Sequence, residues 1–272
     1  NLFRSEEEVN KKLLPDKTKD NPKGGTNPGK GKCNLAEQLD LNFIEKNKEF
    51  IELVESFCGN DYEILLKKFV VAVPAEWIPA WLQEKMKKEY IDNVNAYIKE
   101  EFRDVTYFRG IDYHMDYMDT VGSKPDMVTI YVYLNDVDKR MSPLHVIKKS
   151  HEYCHTLFPH YYENETEKDI VLGENKDNKK KFDKEILIGK AGSVYIWSCL
   201  TMHRTKPFKK CDLPRVSLRY TIKKNQKNKK NVLIDDFLIK HSLVNYKNKL
   251  NNTQILKEKF GKFKNIESNQ DL

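Results

Sequence analysis

The stretch GSVYIWSCLTMHRTKPFKKCDLPRVSLRYTI, residues 192–222, decides how the chain folds. Arg215, Ser217 and Arg219 alternate with Val216, Leu218 and Tyr220, so one face of a strand is polar and the other apolar. Residues 193–199 form a second β-prone run. Working outward, residues 105–108, 127–134, 144–147 and 185–188 are further short β-rich runs bounded by turn residues. Successive strands without long helices between them imply an antiparallel sandwich or barrel.

Before residue 102 the period is helical. Leu39, Phe43, Ile44, Phe50, Ile51, Val54 and Phe57 recur at helical spacing, which predicts one helix from about residue 34 to 58, ended by Gly59-Asn60. A short β-prone run at 69–73 is followed by one or two helices over 76–101, with Trp77, Ile78, Trp81, Leu82 and Met86 on one stripe. These helices are expected to cover one face of a sheet. Residues 1–33, rich in Lys, Asn, Pro and Gly, read as a flexible arm, and the polar stretch 153–184 reads as a lid-like insert. Residues 223–272 suggest a helical extension that caps the barrel or meets another subunit, leaving monomer and homodimer both open. The expected organisation is one domain over 34–272, with its barrel core at about 102–222.

Composition narrows the function classes. The net charge is +7, but 48 Lys and Arg are interspersed with 41 Asp and Glu, a mixed-charge surface that argues against nucleic acid as a partner. The longest apolar stretch, 69–82, is broken by Pro74, Glu76 and Pro79, so no membrane span is expected. Cys33, Cys58, Cys154, Cys199 and Cys211 make an odd count without a CxxC pair, and no charged-then-apolar segment opens the sequence. Reduced thiols in a cytoplasmic setting are the expectation.

The chemistry centres on His114-Met115-Asp116. In a strand or at its exit, residues 114 and 116 share a face while Met115 points away. Two imidazoles and one carboxylate are the set that holds non-haem Fe(II) and leaves the opposite coordination face open. The third ligand must come from a distant strand: His203 is the candidate, and His145, His151, His155 and His160 compete for the place. Arg215, on the polar face of its strand, would be buried inside a barrel and would need an anionic partner. Arg219, on the same face, would reach a second anion.

The order of these parts resembles the phytanoyl-CoA dioxygenase family of Fe(II)/2-oxoglutarate oxygenases over about residues 69–222. HMD at 114–116 stands where that family has HxD, followed by the strand and acidic turn VTIYVYLNDVD at 128–138. MSPLHVIKKSH at 141–151 stands where the family has G-x-L-x-x-x-P-G-S-H; it keeps Leu144, Ser150 and His151 but neither glycine. The block at 192–222 matches the family's final segment. The resemblance implies a double-stranded β-helix, a jelly-roll or cupin-like barrel with N-terminal helices packed on one face. It implies that His114, Asp116 and His203 bind Fe(II), and that Arg215 pairs with the distal carboxylate of 2-oxoglutarate, helped by Thr205 and Ser217. Tyr131 would lie against the co-substrate, and Tyr113, Tyr133 and Arg219 near the prime substrate.

The implied reaction consumes 2-oxoglutarate and O2, releases succinate and CO2, and hydroxylates an unactivated C–H bond of a small molecule. Desaturation and ring formation are variants of it. Because Asp116 is present, the chloride seat of related halogenases is not expected. Aromatic and basic residues in the expected walls suit a small, possibly anionic substrate. A cupin-like metalloprotein without 2-oxoglutarate chemistry would keep the histidines but would not need Arg215. A basic binding module is a third reading, disfavoured because the lysines of the tails lack interleaved aromatics.

Overall fold

The structure, a computed structural model, describes residues 1–11, 34–88, 91, 93–119, 125–152, 161–173, 177, 179–207 and 213–225. The expected C-terminal extension lies almost wholly outside the described residues, as do Cys33, Cys154, Cys211, His155 and His160.

Two sheets face each other. One has the order β2-β1-β11-β4-β9, built from β1 (Glu63–Ala72), β2 (Thr106–Phe108), β4 (Met127–Tyr133), β9 (Val194–Ser198) and β11 (Arg215–Lys223). The other has the order β3-β10-β5-β8-β7-β6, built from β3 (Ile111–His114), β5 (Leu144–Ile147), β6 (Tyr161–Glu163), β7 (Asp169–Gly173), β8 (Lys179–Leu187) and β10 (His203–Thr205). From β3 onward the chain crosses repeatedly between them: β3 to β4, β4 to β5, then β8 to β9, β9 to β10 and β10 to β11. All pairings are antiparallel except β1 with β2. This is the double-stranded β-helix, a jelly roll with both sheets lining one interior.

The alternation of residues 215–222 works as its period requires. Val216, Leu218, Tyr220 and Ile222 face outward; the last three join Val128, Ile130 and Val132 of β4 in a core. α4 (Lys48–Cys58) covers that face with Phe50, Val54 and Cys58. Arg215, Ser217, Arg219 and Thr221 face inward and are all buried. On β1 the same parity sends Lys67 outward to Glu45, at 3.0 Å, and Lys68, Val70 and Ala72 inward.

Four expectations are corrected. The single helix over 34–58 is three, α2 (Leu35–Gln38), α3 (Asn42–Glu45) and α4. Asn34, Asp40 and Asn47 each accept a nearby backbone N–H and restart the chain, the habit of short polar side chains. Gly59, at φ 82°, ends α4 as expected. Second, among the described residues of 76–101 the α-helix α5 covers Ala80–Lys88 and is flanked by 3-10 turns, a shorter helical extent than expected. Third, the arm is not wholly loose: Phe3 is buried among Val73, Ile78, Leu82 and Ile98, and bridges Ile98 through its backbone. α1 (Glu6–Lys11) follows it.

Fourth, the described residues of the expected lid-like insert 153–184 are not simply a lid. They form β6, β7 and β8, which extend the second sheet with Ile170, Leu172 and Phe182 buried at period two. Elsewhere in the loops, Ser142 and Lys149 adopt positive φ, 53° and 58°, at the two places where the resembled pattern carries glycine.

Candidate metal centre

His114 ends β3 and His203 opens β10; the two are direct partners across the antiparallel pair, so both imidazoles leave the sheet on its inner face. Their ring centroids are 4.4 Å apart. Asp116 lies just outside the strand, first in the 3-10 turn Asp116–Asp119, and this turn brings its carboxylate back to the histidines. Oδ1 of Asp116 stands 3.6 Å from His203 Nε2 and 3.9 Å from His114 Nε2. Met115 is buried on the other side, within a core that includes Tyr113 and Tyr117.

The ring orientations are fixed from behind. His114 Nδ1 is 2.7 Å from the carbonyl oxygen of Asp112, and His203 Nδ1 is 3.0 Å from that of Thr201. A carbonyl only accepts, so each Nδ1 carries the proton and each Nε2 offers its lone pair toward Asp116. One ligand atom from each of the three residues lies within 4.8 Å of the others, and all three residues are buried. Burial raises the pKa of Asp116, but the Arg219 guanidinium, with the Thr129 hydroxyl that donates to Oδ2, outweighs it and holds the carboxyl well below the usual range. Neutral imidazoles with fixed tautomers and an ionised carboxylate fit a divalent cation. His145 and His151 do not join them. His145 shares the face of Arg204, opposite to His203, and His151 sits in the turn Ser150–Glu152.

Arg215 lies on the opposite sheet, 2% exposed. Its Nε donates to the Ser142 carbonyl at 2.9 Å and its Nη1 to Ser217 Oγ at 3.1 Å. Its guanidinium lies 5.9 Å from the Tyr131 ring centroid. No carboxylate pairs with it among the described residues. Tyr131 stacks on Trp197 at 5.2 Å, and Trp197 is 5.1 Å from the His203 ring. An aromatic bridge therefore links the arginine to His203. Thr205 pairs with Leu144, two residues from Ser142, and its Oγ1 accepts from the Ile111 backbone, leaving its own proton to donate.

The residues assigned to substrate fare differently. Tyr133 is on the inner face, but its hydroxyl donates to the Leu187 carbonyl at 2.7 Å. Burial pushes its pKa up to about 12. Tyr113 alternates with His114 and so points to the back of the second sheet, where its hydroxyl donates to Glu165 at 2.9 Å and its ring carries the Arg204 guanidinium. The expected substrate contact of Tyr113 is thereby corrected. Arg219 is inside, with Nη2 2.9 Å from Asp116 Oδ1.

Trp197, Thr129, Ser142 and Lys68 also belong to this interior and had no role in the sequence reading. Thr129 Oγ1 donates to Asp116 Oδ2 at 2.6 Å. The signal for Thr129 was its even spacing from Tyr131; for Lys68 it was a lysine inside the apolar run at 64–73.

No protein-family model and no curated protein matches the chain. Solved structures of similar fold include EvdMO1, at 15% identity and TM-score 0.42 over 71% of this chain and 34% of that one. EctD from S. alaskensis with bound Fe is 11% identical at TM-score 0.43, over 70% of this chain and 54% of that one. The epimerase SnoN, in complex with Fe3+, alpha ketoglutarate and nogalamycin RO, is 13% identical at TM-score 0.42, over 70% and 61%. The chain thus spans less than two thirds of each of these three, 34%, 54% and 61% of their lengths.

Proposed function

We propose that the chain is an Fe(II)- and 2-oxoglutarate-dependent oxygenase that hydroxylates an unactivated C–H bond of a small-molecule metabolite, with release of succinate and CO2. The observation that carries this reading is Arg215: a guanidinium buried in the same interior as the His114, Asp116 and His203 ligand set, with no carboxylate against it among the described residues. A buried cation is costly without an anion. The dicarboxylate 2-oxoglutarate would supply one.

His114 and His203 would hold the metal through Nε2 and Asp116 through Oδ1, on one side of the ion. Bound there, Fe(II) supplies the activation of O2 that couples decarboxylation of 2-oxoglutarate to substrate oxidation. Arg215 would grip the distal carboxylate with its remaining N–H groups, while Ser142 and Ser217 keep its plane fixed. Thr205 would add its hydroxyl proton. Tyr131 and Trp197, stacked on each other, would wall the space between.

Anaerobic addition of Fe(II) and 2-oxoglutarate is expected to give a weak visible charge-transfer band. Arg215→Ala should weaken 2-oxoglutarate binding at least about tenfold while iron stays bound, the loss of charged hydrogen bonds. Asp116→Ala should lose the iron. A fully metal-loaded protein without the band would overturn the reading in favour of a barrel that has no use for 2-oxoglutarate. Product mass separates hydroxylation, which adds one oxygen, from desaturation or ring closure, which removes two hydrogens.

A further inference from the structure

Trp197 of β9 is 6% exposed, and its indole Nε1, which can only donate, has no hydrogen-bond partner among the described residues. A buried N–H without an acceptor is costly, so the acceptor has to come from outside the chain. The ring lies 5.1 Å from the His203 ring and stacks on Tyr131 at 5.2 Å, with 20° between the planes. Its cross-strand partner is Thr129, whose hydroxyl donates to Asp116 Oδ2. Trp197 borders two of the three candidate ligands in this way. His203 does not supply the acceptor, because its Nδ1 carries a proton for the Thr201 carbonyl and its Nε2 faces Asp116. Tyr131 in turn lies 5.9 Å from the Arg215 guanidinium. His203, Trp197, Tyr131 and Arg215 form one row, with the ligand set at one end and the buried cation at the other.

We propose that the Trp197 indole N–H donates to the metal-facing carboxylate of 2-oxoglutarate, which makes Trp197 a co-substrate-binding residue at the end that Arg215 does not hold. This inference rests on the oxygenase reading, because it takes Arg215 as the seat of the distal carboxylate. A dicarboxylate gripped there extends along the row, and its other end arrives beside Trp197. The bond is charge-assisted, since the acceptor is ionised. Stacking on Tyr131 holds the indole plane before the co-substrate enters, so the donor loses little freedom when the bond forms.

Proton NMR of the full chain tests it, with Zn2+ as a redox-inert metal. The tryptophans are Trp77, Trp81 and Trp197, so the indole N–H signal missing from Trp197→Phe is that of Trp197. Saturating 2-oxoglutarate is expected to move that proton downfield and to leave the Trp77 and Trp81 signals in place. The shift should survive in Arg215→Ala once that variant is saturated, because only the far end is altered. By calorimetry, Trp197→Phe should weaken 2-oxoglutarate binding about ten- to a hundredfold while Zn2+ still binds, with thermal melts to show that the variant folds. An unmoved Trp197 signal at saturation, its shift lost in Arg215→Ala, or unchanged affinity in Trp197→Phe would overturn the proposal and leave the oxygenase reading intact. Failure of wild-type protein to bind Zn2+ or 2-oxoglutarate would instead overturn the oxygenase reading.

Discussion

The Thr129 hydroxyl reaches Asp116 Oδ2 at 2.6 Å and leaves Oδ1 turned toward the histidines. Thr129→Val keeps the shape and removes that bond, so metal affinity should fall about ten- to a hundredfold, the usual effect of losing a supporting hydrogen bond behind a ligand. Competition between the protein and a chelating dye would measure it; unchanged affinity would mean that Arg219 and the backbone orient Asp116 without Thr129. Residues of this kind divide by how legible they are. His114, Asp116, His203 and Arg215 stood out in the sequence because their side-chain types carry chemistry and their order is specific. The direction of Tyr113 could not be read so easily. Strand parity separates it from His114, yet only the position of β3 within the second sheet shows which face lines the interior. Lys68 was hidden for a different reason: it sits beside Lys67, and a lysine pair reads as solvated surface until β1 is seen to send one each way.

Among the elements, the back of the second sheet carries a charged layer. Arg204 bonds Glu165 and lies 3.6 Å from Asp112, Lys184 bonds Glu165 at 2.6 Å, and His145 is buried beside them. Burial and then Arg204 and Lys184 lower the His145 pKa from 6.5 to about 3. The unfolded imidazole takes up its proton near 6.5 and the folded one does not, so the unfolded state binds more protons between those values. Stability should therefore fall as pH drops from 6.5 toward 3, by at most about 1.4 kcal/mol for each pH unit. Chemical denaturation across that range should show His145→Gln with a flatter profile than wild type; identical slopes would refute the assignment.

Lys149 offers a second element-scale test. Its φ of 58° suits glycine, so Lys149→Gly should stabilise the β5 exit by about 1 kcal/mol, read as a higher denaturation midpoint. A lower midpoint would mean that its side chain contributes more than the strain costs. β6, β7 and β8 up to residue 184 escaped the sequence reading because charged residues outnumber Ile170, Leu172 and Phe182, and a period of two is hard to see in so few apolar positions.

At the scale of the whole molecule, the site belongs to both sheets. The histidines come from β3 and β10, whereas Arg215, Arg219 and Thr129 come from β11 and β4 on the facing sheet. Ligands held between the sheets must therefore add to global stability. Zn2+ and 2-oxoglutarate, each at about a hundred times its dissociation constant, should each contribute about 2.7 kcal/mol. Calorimetric melts should show Arg215→Ala losing the 2-oxoglutarate increment and keeping that of Zn2+. Loss of both would mean that the two sites are not separable. The barrel was legible in the alternation of residues 214–222, since an all-β chain with one polar inward face has few ways to close; the N-terminal cover was less so, because Phe3 is a single apolar residue whose partners lie some seventy and more positions away. The stacked pair of Tyr131 and Trp197, set against the His203 ring, has one more consequence. Trp197 is one of three tryptophans, and its indole stands at the metal seat, so the chain carries its own optical gauge. A paramagnetic ion at the seat should dim that indole's emission, Zn2+ should leave it bright, and occupancy can be followed by light without any added label.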